Sequence, residues 1–303
     1  MTSPPETQGV ALACAWCGAG LRPDAGDLAG RVACRSCGVA TTYPWPTEAE
    51  LDAAYAGAYR PDGGRFSGPG DALLRRSRAA LARRIDRLAP AGPVLDVGAG
   101  EGALLDALAA RGREVVGLER EPSHPRMRDA EVWELDGPWA AVVFWHSLEH
   151  LREPGRALDE AARRLAPGGL LVAALPNAAS LQARAFGERW FALDLPRHLV
   201  HVPAAALLDR AGAAGLSVER VSHLRGGQVA FGWLHGIVGR LPGHPDLYDA
   251  IRRAPARQRP MSSAKRAATL AAAALAAPVA AGAALLEAAA RRGGSVYLEA
   301  RRG

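Results

Sequence analysis

Short apolar runs alternate with stretches of helical spacing through the middle of the chain. Residues 94–97, 113–120, 141–145 and 170–175 contain runs with the length and the Val- and Leu-rich composition of buried strands. Between the first two runs, residues 103–110 carry leucines that fall on one face of a helix. Buried strands that alternate with helices predict an α/β fold built on a parallel sheet.

The first strand runs into a glycine-rich turn. Three glycines allow a tight turn and a close approach of the backbone to a ligand. A strand, a glycine turn and a helix form the opening of a nucleotide-binding α/β unit. We therefore expect a cofactor loop at this turn, made of Asp96, Gly98, Ala99, Gly100 and Gly102.

The glycine spacing alone does not decide which nucleotide binds. Gly98 and Gly100 also fit the dinucleotide fingerprint, and Glu119 lies about twenty residues further on, where an acid contacts a ribose in either case. An NAD-dependent oxidoreductase is therefore one alternative. Asp96 favours another cofactor, because a buried carboxylate is costly unless it meets a positive partner such as the ammonium of S-adenosylmethionine.

Two downstream segments carry a resemblance to a known family. Residues 144–151 read Phe-Trp-His-Ser-Leu-Glu-His-Leu, and residues 165–169 read Leu-Ala-Pro-Gly-Gly. Together with the cofactor loop and Glu119, they resemble the class I S-adenosylmethionine-dependent methyltransferases of the quinone and small-molecule branch, over residues 91–223. The resemblance implies a doubly wound, seven-stranded, mostly parallel Rossmann-like sheet, completed by strands at 215–221 and 294–300, with the last strand antiparallel.

The segment after Glu119 departs from the family pattern because it is short. We expect its helix to be reduced to residues 122–129 and the third strand to lie at residues 131–136. The resemblance also implies an acid on the adenine side of the cofactor. Glu134 and Asp136 are both candidates, and the sequence does not choose between them.

Four cysteines occur as two Cys-x-x-Cys pairs with the spacing of a zinc ribbon. Cys14 and Cys17 form the first pair, and Cys34 and Cys37 form the second. A redox dithiol or four unrelated buried cysteines would not explain the duplication. Because all four ligands are thiolates, we expect a closed, structural Zn²⁺ site with no open position for catalysis.

Histidines are the natural bases if the methyl acceptor is a hydroxyl. His146 follows the fourth strand beside the expected cofactor pocket, and His198 and His201 belong to a family-like Pro-Arg-His-Leu stretch. These three are the catalytic candidates, and His146 also counts among the cofactor contacts. For His150 we expect a structural role in the helix after the fourth strand.

The chain divides into a zinc ribbon (1–45), a linker with N-terminal helices (46–90) and a methyltransferase domain (91–303) with a helical insertion (224–290). Of the 303 residues, 49% are hydrophobic, and the net charge of +6 is spread over several segments with acids among them. This dispersion argues against nucleic-acid binding. The N-terminus lacks the features of a signal peptide, so we expect a cytoplasmic protein.

The insertion has an uneven charge. Residues 252–266 carry six basic side chains and no acid, and residues 267–286 carry no charge at all. The uncharged run is mostly alanine and contains Pro278, which predicts a bent helix or a helix pair packed on the core rather than a spanning helix. A hairpin bent at Pro278 that contacts the inner membrane surface through residues 252–290 is the open alternative.

The sequence therefore favours a zinc-ribbon-bearing methyltransferase that acts on a small-molecule, sugar-linked or lipid-linked acceptor. An NAD-dependent oxidoreductase and a non-catalytic scaffold that binds a partner or a membrane surface are the alternatives. The acceptor, the methylated atom and the oligomeric state do not follow from the residues.

Overall fold

The computed structural model describes residues 12–23, 30–56, 66–224 and 227–303. The strands are β1 (Arg31–Ala33), β2 (Ala40–Thr42), β3 (Val94–Val97), β4 (Val115–Leu118), β5 (Met127–Arg128), β6 (Trp139–Trp145), β7 (Leu165–Pro176), β8 (Val200–His201), β9 (Leu216–Ser222) and β10 (Ser295–Arg302). The α-helices are α1 (Glu48–Tyr55), α2 (Gly70–Leu88), α3 (Ala103–Ala109), α4 (Pro154–Arg164), α5 (Leu181–Phe186), α6 (Ala204–Ala213), α7 (Gln228–Val238), α8 (Leu247–Ile251) and α9 (Ser263–Ala289).

Seven strands form one sheet in the order β5-β4-β3-β6-β7-β10-β9. β3 pairs in parallel with β4 and β6, whereas β10 pairs antiparallel with both β7 and β9. β10 is therefore the one strand of this sheet that runs against the others. The expected seven-stranded, mostly parallel sheet with an antiparallel last strand is confirmed.

Helices cover both faces of the sheet, as a doubly wound fold requires. On one face, Leu81 and Ile85 of α2 and Leu108 of α3 are buried with strand residues such as Val143. On the other face, helices α4 and α6 pack over the opposite side chains of the same strands. Because the central strands β3 and β6 and most of β7 are buried on two faces, their sequences read as continuous apolar runs rather than alternating ones.

The segment between β4 and β6 differs from the expectation. Residues 122–129 form no helix, and the third strand is the two-residue β5, Met127–Arg128, which pairs in parallel with β4. Residues 131–136, where the strand was expected, contain a short 3₁₀ helix at Val132–Glu134. The Val-Trp-Glu-Leu pattern looked like a strand, but these residues form the return connection to the start of β6.

The cysteine-bearing segment is integrated into the rest of the molecule. β2 pairs with β1 on one side and with β8 on the other, so that Thr41 lies opposite Val200 and Ala40 opposite His201. On the neighbouring helix α6, the guanidinium of Arg210 donates hydrogen bonds to the Trp16 carbonyl and to Asp159 of α4. The ribbon strands therefore extend into the domain through both sheet pairing and side-chain contacts.

The insertion between β9 and β10 consists of α7, α8 and α9. Helix α9 is continuous through Pro278, so neither the expected helix pair nor the hairpin bent at that residue forms. A proline removes one backbone donor from a helix, but alanines on either side retain a high helix propensity. Packing of α9 against α7 and α8 supports the helix on both sides of the proline.

Candidate active site

The cofactor loop adopts the backbone conformation for which its glycines are suited. Gly98, Gly100 and Gly102 have φ angles of +76°, +62° and +82°, in the left-handed region. A Cβ atom on Gly98 would lie 2.4 Å from the Cβ of Ser147, which follows β6. The loop after β3 and the loop after β6 are therefore in direct contact at the carboxyl edge of the sheet, where open α/β sheets bind ligands.

Asp96 lies at the centre of this edge and is 3% exposed. Among the described residues its Oδ1 atom has no hydrogen-bond partner. Burial raises the pKa of this carboxyl to about 7, with Arg78 opposing the shift and Glu119 adding to it. A buried, unpartnered carboxylate is costly, so this position fits a ligand that brings a positive or hydrogen-bonding group, such as the ammonium of S-adenosylmethionine.

Glu119 lies directly after β4, at the same edge. Its Oε2 atom accepts a hydrogen bond from the Gly100 amide at 2.7 Å, and its Oε1 atom accepts one from the Arg120 amide at 3.2 Å. The carboxylate is therefore fixed against the glycine turn. A carboxylate held in this way fits the two hydroxyls of a ribose.

The structure does not bring Glu134 and Asp136 to this edge. Both line a cavity of about 330 Å³ together with Glu114, which precedes β4, and Trp139, which begins β6. They therefore lie toward the amino ends of the strands, because this part of the chain is the return connection and not a strand.

Asp129 occupies the position that the sequence assigned to those acids. It follows β5 directly, and the Glu119 amide donates to the Arg128 carbonyl at 3.1 Å in the pairing of these strand ends. Asp129 was not among the candidates because the third strand was expected at residues 131–136. The sequence Met-Arg-Asp-Ala at residues 127–130 was the feature that could have indicated a short strand followed by an acid.

His146 and Glu149 form a pair next to the cofactor loop. The Nδ1 atom of His146 lies 3.4 Å from Oε1 of Glu149, and the two side chains are 17% and 3% exposed. Burial raises the pKa of Glu149, but the hydrogen bond and charge of His146, with smaller effects of His150 and His198, lower it overall to about 2. The Oε2 atom of Glu149 has no hydrogen-bond partner among the described residues. This carboxylate is therefore ionised and can orient the imidazole.

A second group of side chains lies beside this pair. The Nδ1 atom of His150 is 2.9 Å from the Tyr55 hydroxyl and 3.0 Å from the Arg197 carbonyl, and its ring contacts that of His198 at 4.7 Å. Burial and the charge of His198 lower the pKa of His150 to about 4, so it is neutral at physiological pH. His150 is thus tied to its neighbours by hydrogen bonds. The spacing of four residues predicts Tyr59 on the same helical face as Tyr55, but Tyr59 lies outside the described residues.

His201 is separated from His146 by its place in the fold. It belongs to β8, is 4% exposed, and its Nε2 atom is 3.2 Å from the Thr42 hydroxyl. Burial lowers its pKa to about 3, with the charges of His198 and Arg31 acting in the same direction. The His201 ring thus joins the ribbon strands to the domain, and its catalytic role stays a prediction. His198 is also buried, with Nδ1 2.9 Å from the Ala192 carbonyl and Nε2 3.7 Å from Asp194.

The four cysteines converge on one point. The sulfur atoms of Cys14 and Cys37 are 3.7 Å apart, those of Cys17 and Cys34 are 3.6 Å apart, and all four lie within 4.8 Å of one another. Tetrahedral zinc with Zn–S bonds of about 2.3 Å places its sulfurs about 3.8 Å apart. The arrangement therefore fits a Cys₄ zinc site.

Comparison with known proteins agrees with this geometry. Residues 73–221 match the family model described as a methyltransferase domain. About half of the chain is therefore similar to a methyltransferase domain. The glycine turn, Glu119 and His146 all lie within the matched residues.

Sequence and structure comparisons find similar proteins. The methyltransferase domain is 31% identical over 139 residues to a probable S-adenosylmethionine-dependent methyltransferase of Mycolicibacterium smegmatis, covering 42% of this chain and 52% of the relative. It is 28% identical over 156 residues to a ubiquinone biosynthesis O-methyltransferase of Xylella fastidiosa, covering 44% and 63%. The chain thus spans about half to three fifths of the length of these relatives. Among solved structures, a SAM-dependent methyltransferase from Archaeoglobus fulgidus matches with a TM-score of 0.45 and 16% identity, covering 75% of this chain and 94% of that one.

Proposed function

We propose that this protein transfers the methyl group of S-adenosylmethionine to a hydroxyl of a small-molecule acceptor. One observation carries the proposal. Three buried polar atoms without a hydrogen-bond partner among the described residues belong to the end of β3 or to the segment directly after β6: Asp96 Oδ1, Ser147 Oγ and Glu149 Oε2. Buried polar atoms are rarely left unpaired in a folded protein, so this region is suited to a polar ligand.

Several residues would hold the cofactor. Asp96 would accept from the ammonium, Glu119 from the ribose hydroxyls, and the loop from Gly98 to Gly102 would approach the nucleoside with its backbone. Asp129, after β5, is the proposed acid on the adenine side. When bound, S-adenosylmethionine supplies a methyl carbon that an acceptor can attack in line with the carbon–sulfur bond, so that the bonding electrons pass to sulfur.

His146 is the proposed base for the acceptor hydroxyl. Its Nδ1 atom faces the Glu149 carboxylate, and a proton held there leaves Nε2 as the atom that can accept the hydroxyl proton. As the oxygen–methyl bond forms, that proton passes to Nε2 and then to solvent. The Glu149 carboxylate would stabilise the resulting imidazolium, which makes it a positioning residue.

The proposed acceptor class is a small molecule with a phenolic or similar hydroxyl. The Xylella relative is named as an O-methyltransferase of ubiquinone biosynthesis, and this supports the choice of oxygen. Near the proposed base, Tyr55 and His150 provide ring surfaces suited to an aromatic acceptor. A sugar-linked or lipid-linked acceptor is an alternative substrate for the same methyl transfer.

The cysteine cluster is proposed to bind one structural Zn²⁺. Four thiolates at tetrahedral spacing would saturate the ion, so it would take no part in methyl transfer. The proposed role is to fix the ribbon strands that pair with β8.

Transfer of a radiolabelled methyl group tests the proposal. Purified protein and S-adenosylmethionine would be incubated with phenolic, amine and carboxylate acceptors, and products identified by mass spectrometry. Methylated phenol from the native protein and at least about 10²-fold less from His146→Ala would support the base. Equal turnover by both proteins would refute a role for His146, and cofactor binding without methylation of any acceptor would support a non-catalytic scaffold.

A further inference from the structure

Helix α9 exposes an uninterrupted apolar face. Every exposed residue from Ala267 to Ala289 is apolar or glycine. The largest side chains on this face are strongly exposed: Leu275 is 83% exposed, Leu286 is 72% exposed, and Val279 is 65% exposed. These residues recur at helical spacing over about 33 Å, at 1.5 Å per residue. A continuous apolar face of this length is unusual on a soluble surface and indicates an interaction site.

The opposite face of α9 is fixed to the protein. Ala273, Ala280 and Ala284 are buried, and the fully buried Glu287 accepts hydrogen bonds from the Trp233 indole and from Gln182, each at 2.8–2.9 Å. By length and hydropathy α9 could cross a membrane, but only 22% of its most apolar window is buried. Crossing would break the contacts of Glu287 and leave its charge in hydrocarbon, at a cost of several kcal/mol. A helix held along one side can only present its other side to a surface.

Both ends of the apolar face carry positive charge. Arg259 and Lys265 are exposed at the beginning of the helix, and Arg291 and Arg292 are exposed just after its end. None of these four side chains has an ion-pair partner in the part of the chain that the structure describes. Two copies that packed side by side on this face, parallel or antiparallel, would bring cations against cations at both ends. The charges therefore disfavour self-association and favour an anionic surface.

We propose that α9 lies in the interface of an anionic phospholipid bilayer, with its apolar face among the acyl chains and the four cations among the headgroups. This is the geometry of an amphipathic interfacial helix, in which the protein itself covers the remaining face. The proposal does not depend on the reaction that the protein catalyses. It would, however, bring the methyltransferase domain to membrane-borne acceptors.

Vesicle co-sedimentation tests the proposal. Full-length protein would be mixed with vesicles of phosphatidylcholine, with or without phosphatidylglycerol. We expect binding to the anionic vesicles that weakens at high salt. The double variant Leu275→Ser and Leu286→Ser should bind at least about tenfold more weakly, since each leucine loses most of its transfer energy. The matched control is Leu73→Ser with Leu241→Ser, two leucines that are 67% and 41% exposed elsewhere, and it should bind normally.

A variant that lacks three of the cations tests the electrostatic contribution to membrane binding. Replacing Lys265, Arg291 and Arg292 by glutamine should lower binding by about 10²-fold, at about fivefold per cation. Sedimentation velocity without vesicles, run on all variants, reports the oligomeric state and the integrity of the fold. Absence of binding of the native protein to anionic vesicles would overturn the proposal. If it is also a dimer that the Leu275/Leu286 variant converts to monomer, the face belongs to a second copy.

Discussion

Replacement of Asp96 by asparagine tests two effects of the buried carboxylate: the destabilisation of the unliganded protein and the contribution to cofactor binding. Burial raises the pKa of Asp96 from 3.8 to about 7. Since a tenfold change in proton affinity corresponds to about 1.4 kcal/mol, the ionised carboxylate costs the unliganded protein about 4 kcal/mol well above pH 7. The pKa of Asp96 is higher in the folded protein than in the unfolded protein. This cost is therefore absent below pH 4 and grows as the pH rises from about 4 to 7.

The asparagine variant keeps the shape of the side chain and removes the charge. Without ligand, it should therefore unfold about 5 °C above the native protein at pH 8.5 and at nearly the same temperature at pH 4.5. Differential scanning calorimetry at the two pH values measures this difference. The matched control is Asp209→Asn, an exposed aspartate on α6, which should change neither melting temperature.

The same variant should bind S-adenosylmethionine more weakly. Loss of a charge-assisted hydrogen bond of about 1.5–3 kcal/mol raises the Kd by about 10- to 100-fold. Methylthioadenosine lacks the ammonium and should bind the native and variant proteins equally in isothermal titration calorimetry. Equal losses for both ligands would mean that the substitution damages the turn. Undiminished affinity for S-adenosylmethionine would refute the assignment of Asp96 to the ammonium.

Three further predictions concern the rest of the site. Glu149→Gln should lower the methylation rate by about tenfold and leave the affinity for S-adenosylmethionine unchanged, because the imidazolium of His146 loses its anionic partner; a loss of cofactor affinity as large as the loss of rate would indicate a merely structural role. Asp129→Asn should weaken binding of adenosine and S-adenosylmethionine alike by a few-fold, whereas Glu134→Gln should leave both unchanged; a larger loss for Glu134→Gln would reverse the assignment. Elemental analysis should find one zinc per chain in protein purified without chelator and none after Cys14→Ser, and stoichiometric zinc in the variant would exclude the Cys₄ site.

The strands and the cofactor loop could be predicted because local sequence determines them. Val94–Val97 is buried on both faces, and its glycine turn requires positive φ angles at Gly98, Gly100 and Gly102. Both features restrict which residue types can occupy these positions, so both can be recognised in the sequence. The antiparallel last strand followed from the family resemblance and not from the residues of β10.

The errors arose where a short segment depends on distant parts of the fold. β5 has only two residues, too few for a periodic pattern, so the third strand was expected at residues 131–136 instead of at Met127–Arg128. The position of His201 in the small sheet could not be predicted because its pairing partner, β2, lies about 160 positions earlier in the chain. Helix α9 continues through Pro278 because tertiary packing on α7 and α8 outweighs the local cost of a proline.

The pairing of β2 with β8 has a consequence for how the protein reaches its native state. A ribbon held by metal can form once residue 42, the end of β2, has been synthesised, because all four cysteines and both ribbon strands lie before it. Its central strand β2 then keeps one open edge until residues 200–201 arrive, and an open edge can pair with other chains. The long interval between Thr41 and Val200 makes this contact slow to form. Zinc binding before the domain is complete would therefore favour aggregation. Expression of the N-terminal segment alone would test for this aggregation.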